Sequence, residues 1–567
     1  MTRTTGLGVN LPRFIFTLLP FAWLWWRLID HLRIEWSINP QYTYGWAVPL
    51  LCGYLGWRRF RAAVEKHSEA ATTYPARSAK DLCIRSSTAR RLPMFLLFWM
   101  LALAWLPTRL VQEANPEWRL VSWALGLEVV GMTLITVCWV SNRSVNNNVQ
   151  WLALPACFFL VAVPWPTLVE RPLIEALSRA NAATTVEVLN LSGLPAIRHG
   201  NVIEVKAAFI GIDGPCSGIR SLQAALMLSL FFGEFYRLPI LPRFLLCFSA
   251  LPLSFLFNVV RTTVLAGIAA GKGISAVGAW HDPTGVGVLL LCFGCLWGLA
   301  ACVKKGWSPS EVRSPAFRRP EVGIGTILRT GDAVPAKGRT AYLVPTLLVW
   351  LIIAEAVTEF WYRSHENNLR DPVVWTVNFP REIPSLRKVA FSEKATKLLR
   401  YTEATNVCWE EPGGIRFQMI FLRWEAGRTA AHLAKSHSPE VCLTAAGCEE
   451  ALSEELVLIP IRGLTFPFHS YVFRGAEGPL HVFHCIWEDR HDSVPCESDT
   501  SAYASRVRAV MEGRRNLGQR SLEIAIWGAP DRATAERLLA SEVVRLIRLE
   551  RQKPSWQTKS WRDRIMK

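Results

Sequence analysis

Apolar runs separated by short polar connectors fill the chain as far as residue 357 and then cease. Nine of them read as helical spans, over 11–29, 44–57, 92–106, 120–140, 151–165, 217–235, 242–270, 285–303 and 342–357. A helix needs roughly 20 mainly apolar residues to cross the ~30 Å hydrocarbon core of a bilayer. The pattern predicts an all-α polytopic membrane bundle of about 8–9 transmembrane helices. The first span has no small-residue cleavage site and is followed by others, so it is expected to be a retained anchor. Residues 166–215 break the rhythm. Ile174, Leu177, Val186 and Leu189 make them moderately amphipathic, Gly200 and Asn201 suggest a turn, and Val202–Val205 looks β-like. A re-entrant or surface segment is expected there. From residue 358 onward the composition is that of a soluble protein. Alternation over Ile415–Trp424, Tyr471–Phe473 and His481–Trp487 predicts strands, and Arg532–Leu549, after Ala529-Pro530-Asp531, predicts a helix. The expected organisation is a membrane bundle over 1–303, a basic loop over 304–340, a last span over 341–357 and a small α+β soluble domain over 358–567.

Charge adds an orientation. The net charge of +17 would suit a nucleic-acid binder, but its distribution argues against one: nine Lys and Arg lie in 58–91 and eight in 304–339. Basic loops between apolar runs are topology signals and contacts for anionic membrane lipids. With both loops cytoplasmic, span counting leaves residues 166–215, the 271–284 loop and the tail outside. For a bacterium this means the inner membrane, with the tail on the periplasmic face. Of 14 cysteines, five (Cys408, Cys442, Cys448, Cys485, Cys496) fall in the tail, where one or two disulfides are expected if it lies outside the cytoplasm. No zinc-type spacing is present, and no cofactor or metal is implied.

Candidate chemistry gathers at the outer ends of three spans. Cys216, in Gly-Ile-Asp-Gly-Pro-Cys-Ser-Gly-Ile-Arg (211–220), sits where a glycine-rich turn gives way to an apolar run. Read blandly it packs at a helix start; read chemically it is a thiol whose pKa a helix N-terminus lowers, and so a nucleophile. Arg261 interrupts an apolar run, which costs about 2.5–3.5 kcal/mol on insertion scales at a span's centre. It could snorkel to the headgroups, but Asn258 stands three residues earlier on the same helix face. A face carrying both turns more readily into the bundle, where Arg261 could stabilise an oxyanion. His281 is expected in the loop after that span. Loop histidines are usually idle, yet this one is available for general acid–base work, with Asp282 to orient it. Ser217, Asp213 and Arg220 are supporting candidates.

The elements Cys-Ser-Gly-Ile (216–219), Asn-Val-Val-Arg (258–261) and His-Asp-Pro-Thr-Gly (281–285), in that order, resemble the exosortase/archaeosortase family. Tyr44-Gly-Trp-Ala-Val-Pro (44–49), with Trp57-Arg-Arg after it, is similar to that family's early segment. The resemblance covers roughly residues 12–303; Pro215 and the long 58–91 loop depart from the usual pattern. It implies a membrane-embedded cysteine protease or transpeptidase that cleaves C-terminal sorting signals of the Pro-Glu-Pro type. Cys216 would attack, Arg261 would support the intermediate and His281 would carry the proton. In the tail, His437-Ser-Pro-Glu-Val-Cys442 resembles the signature of an exosortase-associated exopolysaccharide-type domain. The implied partners are membrane lipids, substrate proteins bearing a sorting signal, and exopolysaccharide machinery. The rival class is a non-enzymatic component of exopolysaccharide assembly or transport. Transporters usually carry internal repeats, and none is evident in this sequence.

Overall fold

The computed structural model describes residues 11–73, 88–141, 150–306 apart from 207 and 213–216, 340–366, and 373–551 apart from 379–382, 384, 392, 412, 437–438, 440–442, 444–448, 476–477 and 490–501. The apolar runs lie on helices: α1 (Leu11–Ile38), α2 (Ala47–Thr73), α3 (Thr88–Ala114), α4 (Arg119–Ser141), α5 (Gln150–Phe158), α6 (Thr167–Leu191), α7 (Ile219–Phe235), α8 (Ile240–Lys272), α9 (Ile274–Gly306) and α10 (Thr340–Glu366). A 3-10 turn, Pro40–Trp46, joins α1 to α2.

Among the described residues five helical stretches are long and apolar enough to cross a membrane: Leu92–Ala114, Arg119–Cys138, Ile240–Lys272, Ala276–Gly306 and Val344–Glu366. A sixth is added if Leu152–Ala162 and Thr167–Leu191, bent by 65°, form one broken span. The chain is therefore a multi-pass membrane protein. On this criterion the count stays below the 8–9 expected, because α1 and α2 carry ionised residues through their second halves and α7 has only 17 residues. Nor is the bundle wholly helical. Ala196–His199 (β1), Val202–Val205 (β2) and Ala208–Gly211 (β3) form a three-stranded antiparallel sheet. Ile203 and Val205 pack with Val186 and Leu189 of α6 against Ala266 of α8, so the amphipathic segment caps that helix end.

Two apolar cores divide the bundle. Leu24, Leu28, Phe98, Trp105, Leu125 and Val129 join α1 to α5 and take in α10. Ala225, Leu246, Ala250, Cys292 and Leu296 hold α7, α8 and α9 together. A buried ionic quartet locks α10 into the first core. Arg109, 1% exposed, donates from Nε to Glu355 Oε1 at 2.9 Å and from Nη2 to Glu113 Oε1 at 2.8 Å. Arg27 Nη2 lies 3.4 Å from both carboxylates, giving two cations and two anions. Glu113, seven residues past the apolar run over 92–106, thus belongs to the helical bundle.

In the tail, β4 (Val373–Val377), β5 (Arg387–Lys388), β6 (Glu403–Glu410), β7 (Arg416–Trp424), β8 (Glu449–Ile461), β9 (Leu464–Gly475), β10 (Gly478–Glu488), β11 (Gln519–Trp527) and β12 (Ile547–Arg551) are the strands. Seven of them form one antiparallel sheet in the order β5-β6-β7-β11-β10-β9-β8, while β12 pairs with β4. The predicted strands fall on β7, β9 and β10. The predicted helix ends at Leu546, and Ile547–Arg551 turns into a strand. Cys408 and Cys485 carry free thiols, so neither joins a disulfide; the other three tail cysteines lie outside the described residues.

The sheet buries an acid. Glu523 pairs in register with His484, which pairs in turn with His469. Burial pushes the Glu523 carboxyl up from 4.5 to about 7. An acid with a raised folded pKa binds its proton more tightly when folded, so stability falls as pH rises from the unfolded value through the folded one. Between pH 5 and 8 this group is expected to remove on the order of 2–3 kcal/mol from the tail. Denaturant titration of the full chain, read by tail tryptophan fluorescence, should show that slope, and Glu523→Gln should flatten it. A slope unchanged by the substitution would mean the histidines carry the dependence instead.

Candidate active site

The hairpin of α8 and α9 is built to bring two distant polar residues together. Gly273, at φ +84°, turns the chain between them. Each helix has 33 residues, about 50 Å at 1.5 Å per residue, well beyond the hydrocarbon thickness. His281 is accordingly not in a loop, as hydropathy suggested, but in the first half of α9. From there its Nε2 lies 2.8 Å from Arg261 Nη2 on α8. A guanidinium has no acceptor, so the imidazole must present a lone pair at Nε2 and carry its proton on Nδ1. Nδ1 in turn lies 2.9 Å from Asp282 Oδ1, to which it donates. The Asp282 side chain is 92% exposed, and an exposed carboxylate orients a neighbour only weakly. Arg261 Nε is buried and has no hydrogen-bond partner among the described residues.

Asn258 and Arg261 share the bundle-facing side of α8, while Leu256, Val260 and Val264 face outward. Asn258 is buried against the first turn of α7. Gly218, the N-cap of that helix, has φ +89°, and a Cβ there would lie 2.9 Å from Asn258 Nδ2. Only glycine permits both the left-handed backbone and the close approach. Ser217, 1% exposed, accepts from the Ile219 N–H through its hydroxyl at 3.3 Å. Behind Asn258, Thr262 donates to the Asn258 carbonyl at 2.9 Å and accepts from Asn181 Nδ2 at 2.9 Å, tying α8 to α6. Arg220 is exposed. Cys216 and Asp213 lie outside the described residues, as do His437 and Cys442.

A second polar group, not singled out from sequence, sits below the start of α7. Glu170 of α6 accepts from Arg119, Gln41 and the Tyr42 hydroxyl. Tyr42 also accepts from the Trp165 N–H at 2.9 Å and from Gln223 of α7 at 3.4 Å. A glutamate at the edge of an apolar segment was the only local sign of this node. The helix α11 (Ala430–Ser436) of the tail docks beside it. Arg428 reaches Asp30 at 2.6 Å, Lys435 reaches Glu117 at 2.5 Å, and His432 lies 3.5 Å from Glu35.

Residues 36–298 match the family model described as transmembrane exosortase (Exosortase_EpsH). No curated protein and no solved structure matches the chain.

Proposed function

Because the membrane part of this chain, residues 36–298, belongs to the transmembrane exosortase family, we propose that it is a membrane-embedded cysteine transpeptidase with Cys216, Arg261 and His281 as its catalytic residues. The observation that carries the reading is the 2.8 Å contact between Arg261 Nη2 and His281 Nε2, beside the buried turn that follows Cys216. In the resting enzyme the lone pair of His281 Nε2 is held by Arg261. Transfer of the Cys216 thiol proton to Nε2 replaces that hydrogen bond and frees Nη2. The thiolate then attacks the scissile carbonyl carbon, and the tetrahedral oxyanion is met by the guanidinium. Collapse breaks the C–N bond, the departing amine takes the proton from His281, and a thioester remains. An acceptor nucleophile or water attacks the thioester, gives its proton to His281, and releases the thiolate. Asn258 and Ser217 position the turn; Asp282 accepts from the imidazole Nδ1–H.

The substrate is a protein with a C-terminal sorting signal of the Pro-Glu-Pro type, and the acceptor belongs to the cell surface. The membrane is the bacterial inner membrane, with the site and the tail at its periplasmic face and residues 304–340 in the cytoplasm. The tail is an exosortase-associated exopolysaccharide-type domain, which the ion pairs to Asp30 and Glu117 hold beside the bundle. The test is Cys216→Ala in the native host, following the size of a protein with such a signal. Accumulation of the uncleaved precursor, with the variant present in the membrane at normal level, is expected. Unchanged processing would sink the catalytic reading in favour of a non-enzymatic role in exopolysaccharide assembly.

A further inference from the structure

Between the two cores of the bundle lies a groove of about 600 Å³ that the proposed chemistry does not use. Trp123 and Leu160 form one wall; Leu226 and Leu230 of α7 with Arg243 and Phe244 of α8 form the other. Gln223 also lines it. As α7 and α8 run antiparallel, Gln223 and Arg243 mark opposite ends of an otherwise apolar space.

The lining and the charge at its end decide what can occupy it. A single hydrocarbon chain fits, and an apolar lining between helices is where one would be held. Charge decides the head group. Glu234, buried, accepts from Arg59 Nε at 2.5 Å and lies 3.3 Å from Arg243 Nη2, so one carboxylate serves two guanidiniums. Arg243 Nε is buried with no hydrogen-bond partner among the described residues. Around the same turn Arg58 stacks 4.2 Å from the Phe235 ring and Lys304 lies 5.3 Å from the Tyr236 ring. A basic end on an apolar groove is the recognition chemistry of an anionic lipid.

We propose that this groove binds one acyl chain of an anionic phospholipid, with its phosphate at Arg243. The bound chain fills the gap between α7 and the α4–α5 side of the bundle, and so braces the helix that begins at Ile219. This inference rests on the groove alone and stands whether or not Cys216 is a nucleophile.

The test uses the full-length protein in maltoside micelles with phosphatidylglycerol carrying a photoactivatable diazirine in one acyl chain. Labelling is expected on the peptides containing Leu226, Leu230 and Phe244. A phosphatidylcholine probe with the same chain should label them roughly fivefold less, the effect of one basic contact. Arg243→Gln should erase that preference, and excess inorganic phosphate should not compete. Leu230→Trp, which leaves every charge in place, should expel the chain and abolish groove labelling, so it decides the matter if Arg243→Gln fails to fold. Equal labelling by both probes, or labelling confined to outward-facing residues such as Leu50 and Phe248, would overturn the proposal.

Discussion

Replacing Arg261 by alanine is expected to slow substrate cleavage by about 10²–10³-fold, the usual effect of removing one oxyanion donor, while the protein stays folded and inserted. The expectation follows from two properties of the residue. Its charge is placed in an apolar run, which lowers insertion stability rather than raising it, so its loss should not harm the fold. Its donors face α9, where Nη2 meets His281 at 2.8 Å and buried Nε has no hydrogen-bond partner among the described residues. Arg261→Lys should fall between the two, since an ammonium keeps the charge but cannot span both positions. The measurement is the initial rate of precursor cleavage in isolated membranes, normalised to enzyme amount, beside thermal unfolding in detergent. Partial recovery of the alanine variant by added guanidinium would mark the role as electrostatic. An unchanged rate would reduce Arg261 to a structural partner of His281.

The largest stability effect is expected at Arg109. Arg109→Ala leaves Glu113 and Glu355 facing only Arg27, and an uncompensated buried charge costs about 3–5 kcal/mol. Because Glu355 lies on α10, the loss should loosen the helix that leads into the tail. Tyr362 donating to the Leu110 carbonyl at 2.5 Å and Trp350 to the Ala102 carbonyl at 2.6 Å tie α10 to α3 independently of the quartet. Removing a cation and an anion together, as in Arg109→Met with Glu355→Gln, keeps the quartet balanced and should be milder than the single change. Thermal unfolding of the two variants beside the unaltered protein in one detergent measures this. If the double variant is as unstable as Arg109→Ala, the quartet is not the cause.

Local pattern was enough for much of this protein. Long apolar runs become helices because length and composition are properties of a short stretch, and each predicted span overlaps one. Asn258 and Arg261 stood out because a polar residue breaking an apolar run is conspicuous wherever it occurs, whereas Ser217 and His281 were reached only through the short motifs around them. Alternation in the tail marked β7, β9 and β10 for the same reason.

Other features depend on which residues meet across the chain. Hydropathy ended the span at Gly285, but packing of α9 on α8 carries the helix back to Ile274, and only that extension brings His281 to Arg261. Gly218 was one glycine among several until its approach to Asn258 gave it a reason. The 166–215 segment disclosed one β-like stretch and not the sheet, since pairing is a partnership between strands. Arg109 and Glu355 are separated by 246 positions, and Glu170 finds Arg119 and Tyr42 on other helices. Sequence determined which segments become long apolar helices and where polar groups interrupt them. Tertiary structure alone decided the partners of those groups, because ion pairing and close packing act through space over a few ångströms and leave no local period in the chain.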